Sequence, residues 1–144
     1  MRSDTAAPIP ARARIAGLVL SAVGVLFLIV DAGMKILSLA PSVTATVALG
    51  YPASLVVPIG AIEMACLALY LWPRTAVVGA VLWTGYLGGA VASQARVQAP
   101  LFGNVLFPIY VAVLLWAGLW LRDRRARALV SSLPDPLAAG LDRV

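Results

Sequence analysis

The sequence predicts an all-α fold, an integral membrane bundle of four transmembrane helices with both termini in the cytoplasm. Three observations carry this prediction. Apolar residues make up 62% of the 144-residue chain and charged residues 12%, and mean hydropathy is +0.96. Soluble domains run nearer half apolar and a quarter charged, and disordered chains need low hydrophobicity, so neither class fits. Four apolar runs each approach the roughly 20 residues that a helix needs to cross a bilayer. The arginines outside those runs fall on one side of the implied membrane.

Residues 1–12 form a short cytoplasmic segment ahead of the first span, at 13–38, which carries no charge from Ile15 to Val30. An uncharged loop, Leu39 to Tyr51, leads to the second span at 52–72, whose one charge is Glu63. The third span covers 75–97 and the fourth 101–121. Pro41, Pro52, Pro73 and Pro100 punctuate the joints, as residues that start or stop helices do. Residues 122–144 read as a basic cytoplasmic tail, Pro-rich at 133–136 and poorly ordered beyond. The halves share no repeated motif, which counts against an inverted-repeat transporter. A cleaved leader ending near Ser38-Leu39-Ala40 competes with the first span. Its apolar run is too long for a leader, and cleavage would remove Asp31 and Lys35.

Orientation follows from the positive residues. Arg2 and Arg12 precede span 1 and Arg14 stands at its start, ahead of the charge-free stretch; Arg74 joins spans 2 and 3, and Arg122, Arg124, Arg125 and Arg127 follow span 4. The other two joints are uncharged. Trp72, Trp116 and Trp120 then lie toward the inner interface, and Tyr51 and Phe102 toward the outer one. The net charge of +5 is thus a topology signal, and no nucleic-acid partner is expected. The chain has no histidine and a single cysteine, Cys66. Disulfide scaffolds, zinc and iron–sulfur sites, His-ligated haem and His-dependent nucleophiles are therefore excluded on this chain alone. No metal is expected, and Cys66 reads as an inert buried thiol.

Ionisable groups within spans cost about 2.5–3.5 kcal/mol each on insertion scales, so their placement is informative. Asp31 and Lys35 are one helical turn apart on span 1. Glu63 lies about 16 Å from the outer end of span 2 at 1.5 Å per residue. Gln94 and Arg96 lie near the outer end of span 3, Asn104 near the outer start of span 4, and Tyr86 at a depth similar to Glu63. Two cations and two carboxylates balance, which predicts mutual pairing, with Glu63 meeting Lys35 or Arg96 or hydrogen-bonded to Tyr86. Pro58 and Pro108 cannot donate to the carbonyls of Ser54 and Asn104, so kinks and freed carbonyls are expected in the outer parts of spans 2 and 4. Together these features predict a polar pocket open to the outer side, made by Asp31, Lys35, Glu63, Tyr86, Gln94, Arg96 and Asn104.

Packing signals are also legible. Gly17, Ser21, Gly24, Leu28, Asp31 and Lys35 alternate by four and three along span 1, a heptad seam. Gly85, Gly89 and Ala92 form a small-residue stripe on span 3, expected to pack inside the bundle. A homo-oligomer that pairs on this stripe is the alternative.

These residues resemble the DoxX-like family of small four-helix bacterial membrane proteins. The resemblance covers Ala16 to Leu129. It rests on Asp31-Ala-Gly-Met-Lys35, Leu49-Gly-Tyr-Pro52, Ile59-Gly-Ala-Ile-Glu63, Leu71-Trp-Pro-Arg-Thr75, Gly85-Tyr-Leu-Gly-Gly-Ala90 and Leu106-Phe-Pro-Ile-Tyr110 in order. Gln94 stands where the family often has a histidine. The resemblance implies a bacterial inner-membrane location and a link to redox or oxidative-stress complexes, since the family name comes from a small subunit associated with thiosulfate:quinone oxidoreductase. Three functions follow in order of expectation. The first is a non-catalytic accessory subunit whose basic tail docks a protein partner, consistent with the absence of a complete catalytic constellation. The second is a redox subunit that holds a quinone, with Arg96, Tyr86 or Lys35 on a carbonyl and Glu63 moving the proton. The third is a small proton-coupled transporter that uses Glu63.

The topology is open to test. Cysteines placed at Thr44 and Gln98 should react with impermeant maleimide on intact cells, whereas one at Ser131 should react only after lysis. Reaction at Ser131 on intact cells would reverse the arrangement.

Overall fold

The computed structural model describes residues 9–131, all helices and turns; Arg2 and the Pro-rich 133–136 segment lie outside them. Six α-helices follow in order: α1 (Ala11–Ile36), α2 (Ala40–Ala48), α3 (Val56–Leu71), α4 (Ala76–Arg96), α5 (Phe107–Arg122) and α6 (Arg124–Ser131). A 3₁₀ turn at Ala53–Leu55 feeds α3, and a π turn at Leu101–Val105 feeds α5. The stretches Ala11–Ile36, Ala53–Leu71, Ala76–Arg96 and Leu101–Arg122 are long and apolar enough to cross a membrane. α1 packs on α3 and α5, and α4 packs on the same two, so the four long helices form a ring in chain order. The start of α1, the α3–α4 turn and the end of α5 lie together at one end, the proximal end; α2 and the turn before residue 101 form the distal end.

The bundle wears its apolar residues outward. Ile15, Leu26, Val81, Trp72 and Phe102 are exposed. A protein in water rarely shows so continuous an apolar surface, whereas lipid tails require it. This is a multi-pass membrane protein.

Inside, each long helix turns a narrow seam to its neighbours, alternating by three and four residues. On α3 the buried positions are Val56, Gly60, Glu63, Leu67 and Tyr70; on α5 they include Pro108, Val111, Leu115 and Gly118. α1 contributes Gly17, Ser21, Gly24 and Leu28 as its spacing predicts, then Ala32, with Asp31 and Lys35 half-buried on the flank. Lipid supplies no hydrophobic drive between helices, so close backbone approach carries much of the contact. A methyl added to Gly17 would lie 2.8 Å from the carbonyl oxygen of Gly118, and one added to Gly79 would lie 2.6 Å from the Tyr70 Cα. The expected stripe on span 3 is different. Gly85 and Gly89 are exposed, and nothing lies within 4 Å of a methyl added to either. α4 turns Gly79, Ala80, Trp83 and Leu87 inward instead, because the large indole fills the centre and rotates the glycines outward.

One further expectation is corrected. Most of the stretch read as a loop from Leu39 to Tyr51 is helix α2, started by Pro41 and tied down by the buried Ser42 and Thr46. Ser42 Oγ donates toward the carbonyls of Leu39 (2.8 Å) and Met34 (2.9 Å), and Thr46 Oγ1 donates to the Ser42 carbonyl at 2.7 Å. Pro58 and Pro108 fall in the outer parts of spans 2 and 4, just after the 3₁₀ and π turns. They are the third residue of α3 and the second of α5, in the first turn, where a missing N–H breaks no helical bond.

The distal end repeats one stop signal. α1, α2 and α4 each end on a residue in the left-handed region: Ser38 (φ 51°), Gly50 (φ 83°) and Gln98 (φ 54°). The following amides reach back to Met34, Thr46 and Gln94, closing the last helical carbonyls as Schellman motifs do. At the proximal end α5 breaks at Asp123, whose Oδ1 accepts the Arg125 amide (2.8 Å) and caps α6. Arg127 Nε donates back to the Trp120 carbonyl at 2.7 Å.

Glycine substitutions separate the two kinds of contact. Gly17→Val and Gly118→Val should each lose about 1–3 kcal/mol through overpacking, read as a lower melting temperature in detergent. Gly88→Ala, in open space, should be neutral or slightly stabilising, as alanine favours helix over glycine by up to about 1 kcal/mol.

Candidate functional site

The seam of α3 puts Glu63 at the centre of the bundle, fully buried. One turn earlier Gly60 lets the stem of Lys35 lie directly against α3; a methyl there would come within 2.8 Å of the Lys35 Cβ. Lys35 then bridges two helices. Its Nζ donates to Asp31 Oδ2 at 2.5 Å, one turn back on α1, and to Glu63 Oε1 on α3. From α4 the Tyr86 hydroxyl donates to the same Glu63 oxygen. Glu63 Oε1 thus collects two donors, while Oε2 is buried with no hydrogen-bond partner among the described residues. The Trp83 ring meets that of Tyr86 edge to face at 5.3 Å and 83°, and its Nε1 is likewise buried and unpartnered. Cys66 is buried three residues further along α3.

The cluster therefore joins α1, α3 and α4 through one ammonium, two carboxylates and a phenol. Its exposure is graded: the Asp31 side chain is 30% exposed, Lys35 15%, and Glu63 not at all. One cation against two carboxylates leaves one negative charge in excess, so taking up a single proton brings the cluster to neutrality. Groups linked in this way can hold or pass one proton.

The remaining expected residues go elsewhere. Arg96 is exposed and donates through Nη2 to the Leu49 carbonyl, closing the end of α2 with its guanidinium across Gly50. An arginine satisfies a helix C-terminus well, and Gly50 leaves room for it. Gln94 is half-buried and Asn104 exposed in the π turn; neither side chain bonds to another described residue. Of seven expected site residues the fold brings four together: Asp31, Lys35, Glu63 and Tyr86.

Sequence reasoning missed a second polar node. Tyr70 is fully buried, donates to the Leu115 carbonyl at 2.8 Å and lies 3.1 Å from Ser21 Oγ, tying α3 to α5 and α1. The signal was available. Val56, Gly60, Glu63, Leu67 and Tyr70 step by four and three, so the seam that buries Glu63 buries Tyr70 as well. Arg122, one turn beyond Gly118 on α5, stacks over the Tyr70 ring at 5.1 Å.

The family model for the DoxX-like family matches residues 19–118, well over half of the chain. The chain belongs to the DoxX-like family. No curated protein and no solved structure matches it significantly. The DoxX-like region contains the whole Asp31–Lys35–Glu63–Tyr86 cluster and ends before Arg122, so the proximal arginines after α5 lie beyond the family's matched core.

Removing Lys35 leaves Glu63 uncompensated, and breaking a buried pair in this way costs about 3–5 kcal/mol. Lys35→Met should therefore destabilise the detergent-solubilised protein more than Asp31→Asn, whose side chain is the more exposed. The double variant Lys35→Met/Glu63→Gln should cost less than the sum of its parts by about 0.5–3 kcal/mol. Additive losses in thermal unfolding would show that the two groups act independently.

Proposed function

We propose that the chain is a non-catalytic accessory subunit of a membrane-associated redox or oxidative-stress complex in a bacterial inner membrane, with both termini cytoplasmic. The observation that supports this reading is the Asp31–Lys35–Glu63–Tyr86 cluster, in which the charges within the spans are used on one another. Such a cluster sets the register of three helices and makes the bundle a firm body on which a partner can be held. The helical proximal end, with Arg124 and Arg125 exposed on α6, supplies the basic surface for a protein partner. In this reading the partner supplies the redox group.

A second reading rests on one specific atom. Glu63 Oε2 has no hydrogen-bond partner among the described residues and stands in a cluster that can take up one proton. That fits a quinone-linked subunit in which Tyr86 and Glu63 serve a reducible carbonyl, with the electrons supplied by the partner.

Glu63→Gln keeps the shape and most hydrogen bonds while removing the titration. Under the accessory reading this variant inserts, restores growth to a deletion strain under oxidative stress, and co-purifies in the same hetero-oligomer at the wild-type mass. Failure to restore growth with the hetero-oligomer intact would move the assignment to the proton-handling reading. A protein that runs only with copies of itself in native mass spectrometry would overturn the accessory reading.

A further inference from the structure

The proximal end holds a cavity of about 390 Å³. Arg14 and Leu18 from α1 line it, with Arg74 from the α3–α4 turn, and Arg122 and Arg125 from α5 and α6. Four guanidinium groups thus surround one space, and the one carboxylate on its wall among the described residues, Asp123, accepts the Arg125 amide as the cap of α6. No ion pair joins Asp123 to these arginines among the described residues. Like charges converging at a membrane interface repel one another, and water screens them less there than in bulk.

Two independent features indicate what would relieve the repulsion. Arg122 Nε and Nη2 are shielded from solvent and have no hydrogen-bond acceptor among the described residues, although a guanidinium fork is made for two oxygens of one anion. The Tyr70 ring beneath it at 5.1 Å holds the fork in place. The second feature is the start of α4, where Ala76 lines the cavity. Thr75 does not cap that helix; its hydroxyl donates to the Leu69 carbonyl at 2.8 Å, so the start of α4, the positive end of a helix dipole, has no side-chain cap. Leu18, exposed on the outer surface, continues the cavity wall toward the lipid.

We propose that this cavity is a phosphate-binding site, filled in the membrane by the headgroup of an anionic phospholipid. Arg122 and the start of α4 hold the phosphate oxygens, Arg14, Arg74 and Arg125 supply the surrounding charge, and the acyl chain runs along Leu18. Basic pockets between transmembrane helices bind such headgroups in the leaflet they face. The site is at the opposite end of the bundle from Lys35 and does not depend on the accessory reading.

Native mass spectrometry of the full-length protein in neutral detergent tests it, with dioleoyl phosphatidylglycerol and dioleoyl phosphatidylcholine as probes. The phosphatidylglycerol adduct should form at least tenfold more readily. That preference should fall at least fivefold in Arg122→Gln and in the double variant Arg14→Gln/Arg74→Gln, whose exposed side chains can change without unfolding the bundle. Arg12→Gln, outside the cavity, should leave the preference intact. Inorganic phosphate forms the second arm. An arginine-dependent thermal shift with phosphate at millimolar concentration, without a preference between the lipids, would keep the phosphate site and assign it to a free phosphate. Equal binding of both lipids together with no phosphate shift would overturn the proposal. So would a lipid preference that survives the double variant.

Discussion

Glu63 is a carboxylate with no solvent exposure among helices whose outer faces are apolar, and the positions of three spans follow from how it is met. An isolated charge there would cost far more than the bundle gains from any one packing contact, so a cation must reach it. Lys35 reaches it only because Gly60 removes the side chain that would hold α1 away from α3. Tyr86 reaches it only because Trp83 packs inward on α4 and fixes the rotation of that helix. The same rotation carries Gly85, Gly88 and Gly89 to the outer surface. One ion pair thus determines a close approach, a helix rotation and the face that α4 presents to lipid.

The two ends of the bundle solve different problems. Distally, three helices stop, and the stop is made by backbone: left-handed residues at Ser38, Gly50 and Gln98, with Arg96 closing the end of α2. The hydrocarbon core offers no water to replace lost backbone bonds, so carbonyls near it are best satisfied internally. Proximally, the Tyr70–Ser21–Leu115 node ties α1, α3 and α5, and beyond it come the arginines. Charge is concentrated where the chain leaves the membrane and where it turns back at Arg74.

How much of this was legible depended on whether a feature belongs to one helix or to several. The presence of four membrane-capable helices was legible because length and apolarity are properties of one segment. The Asp31–Lys35 pairing was legible because it is set by the spacing of a single helix turn. Lys35 and Arg96 remained equal candidates for Glu63, since only the packing of α1 on α3 places one near it and the other over Gly50. The Gly85–Gly89 stripe misled because a small-residue pattern says that a face can approach something, and not which neighbour it faces. α2 was missed because an uncharged, nine-residue segment carries no hydrophobic period long enough to separate it from a loop.

The chain also places two cations, Lys35 and Arg122, at opposite ends of the core, and their surroundings differ in kind. Lys35 sits between two carboxylates, so its charge is balanced within the protein and its environment favours fixed geometry. Arg122 sits on an aromatic ring, with hydrogen-bonding nitrogens unused and other arginines for neighbours. A ring face stabilises a cation by about 0.5–2 kcal/mol without occupying its N–H donors, so it holds the guanidinium while leaving those donors unused. Lysine could not take that position as well, because its compact ammonium lacks the planar fork. The choice of residue at each end therefore follows the work of that end: a point charge where three helices must be locked, and a planar multidentate donor where an anion can be received.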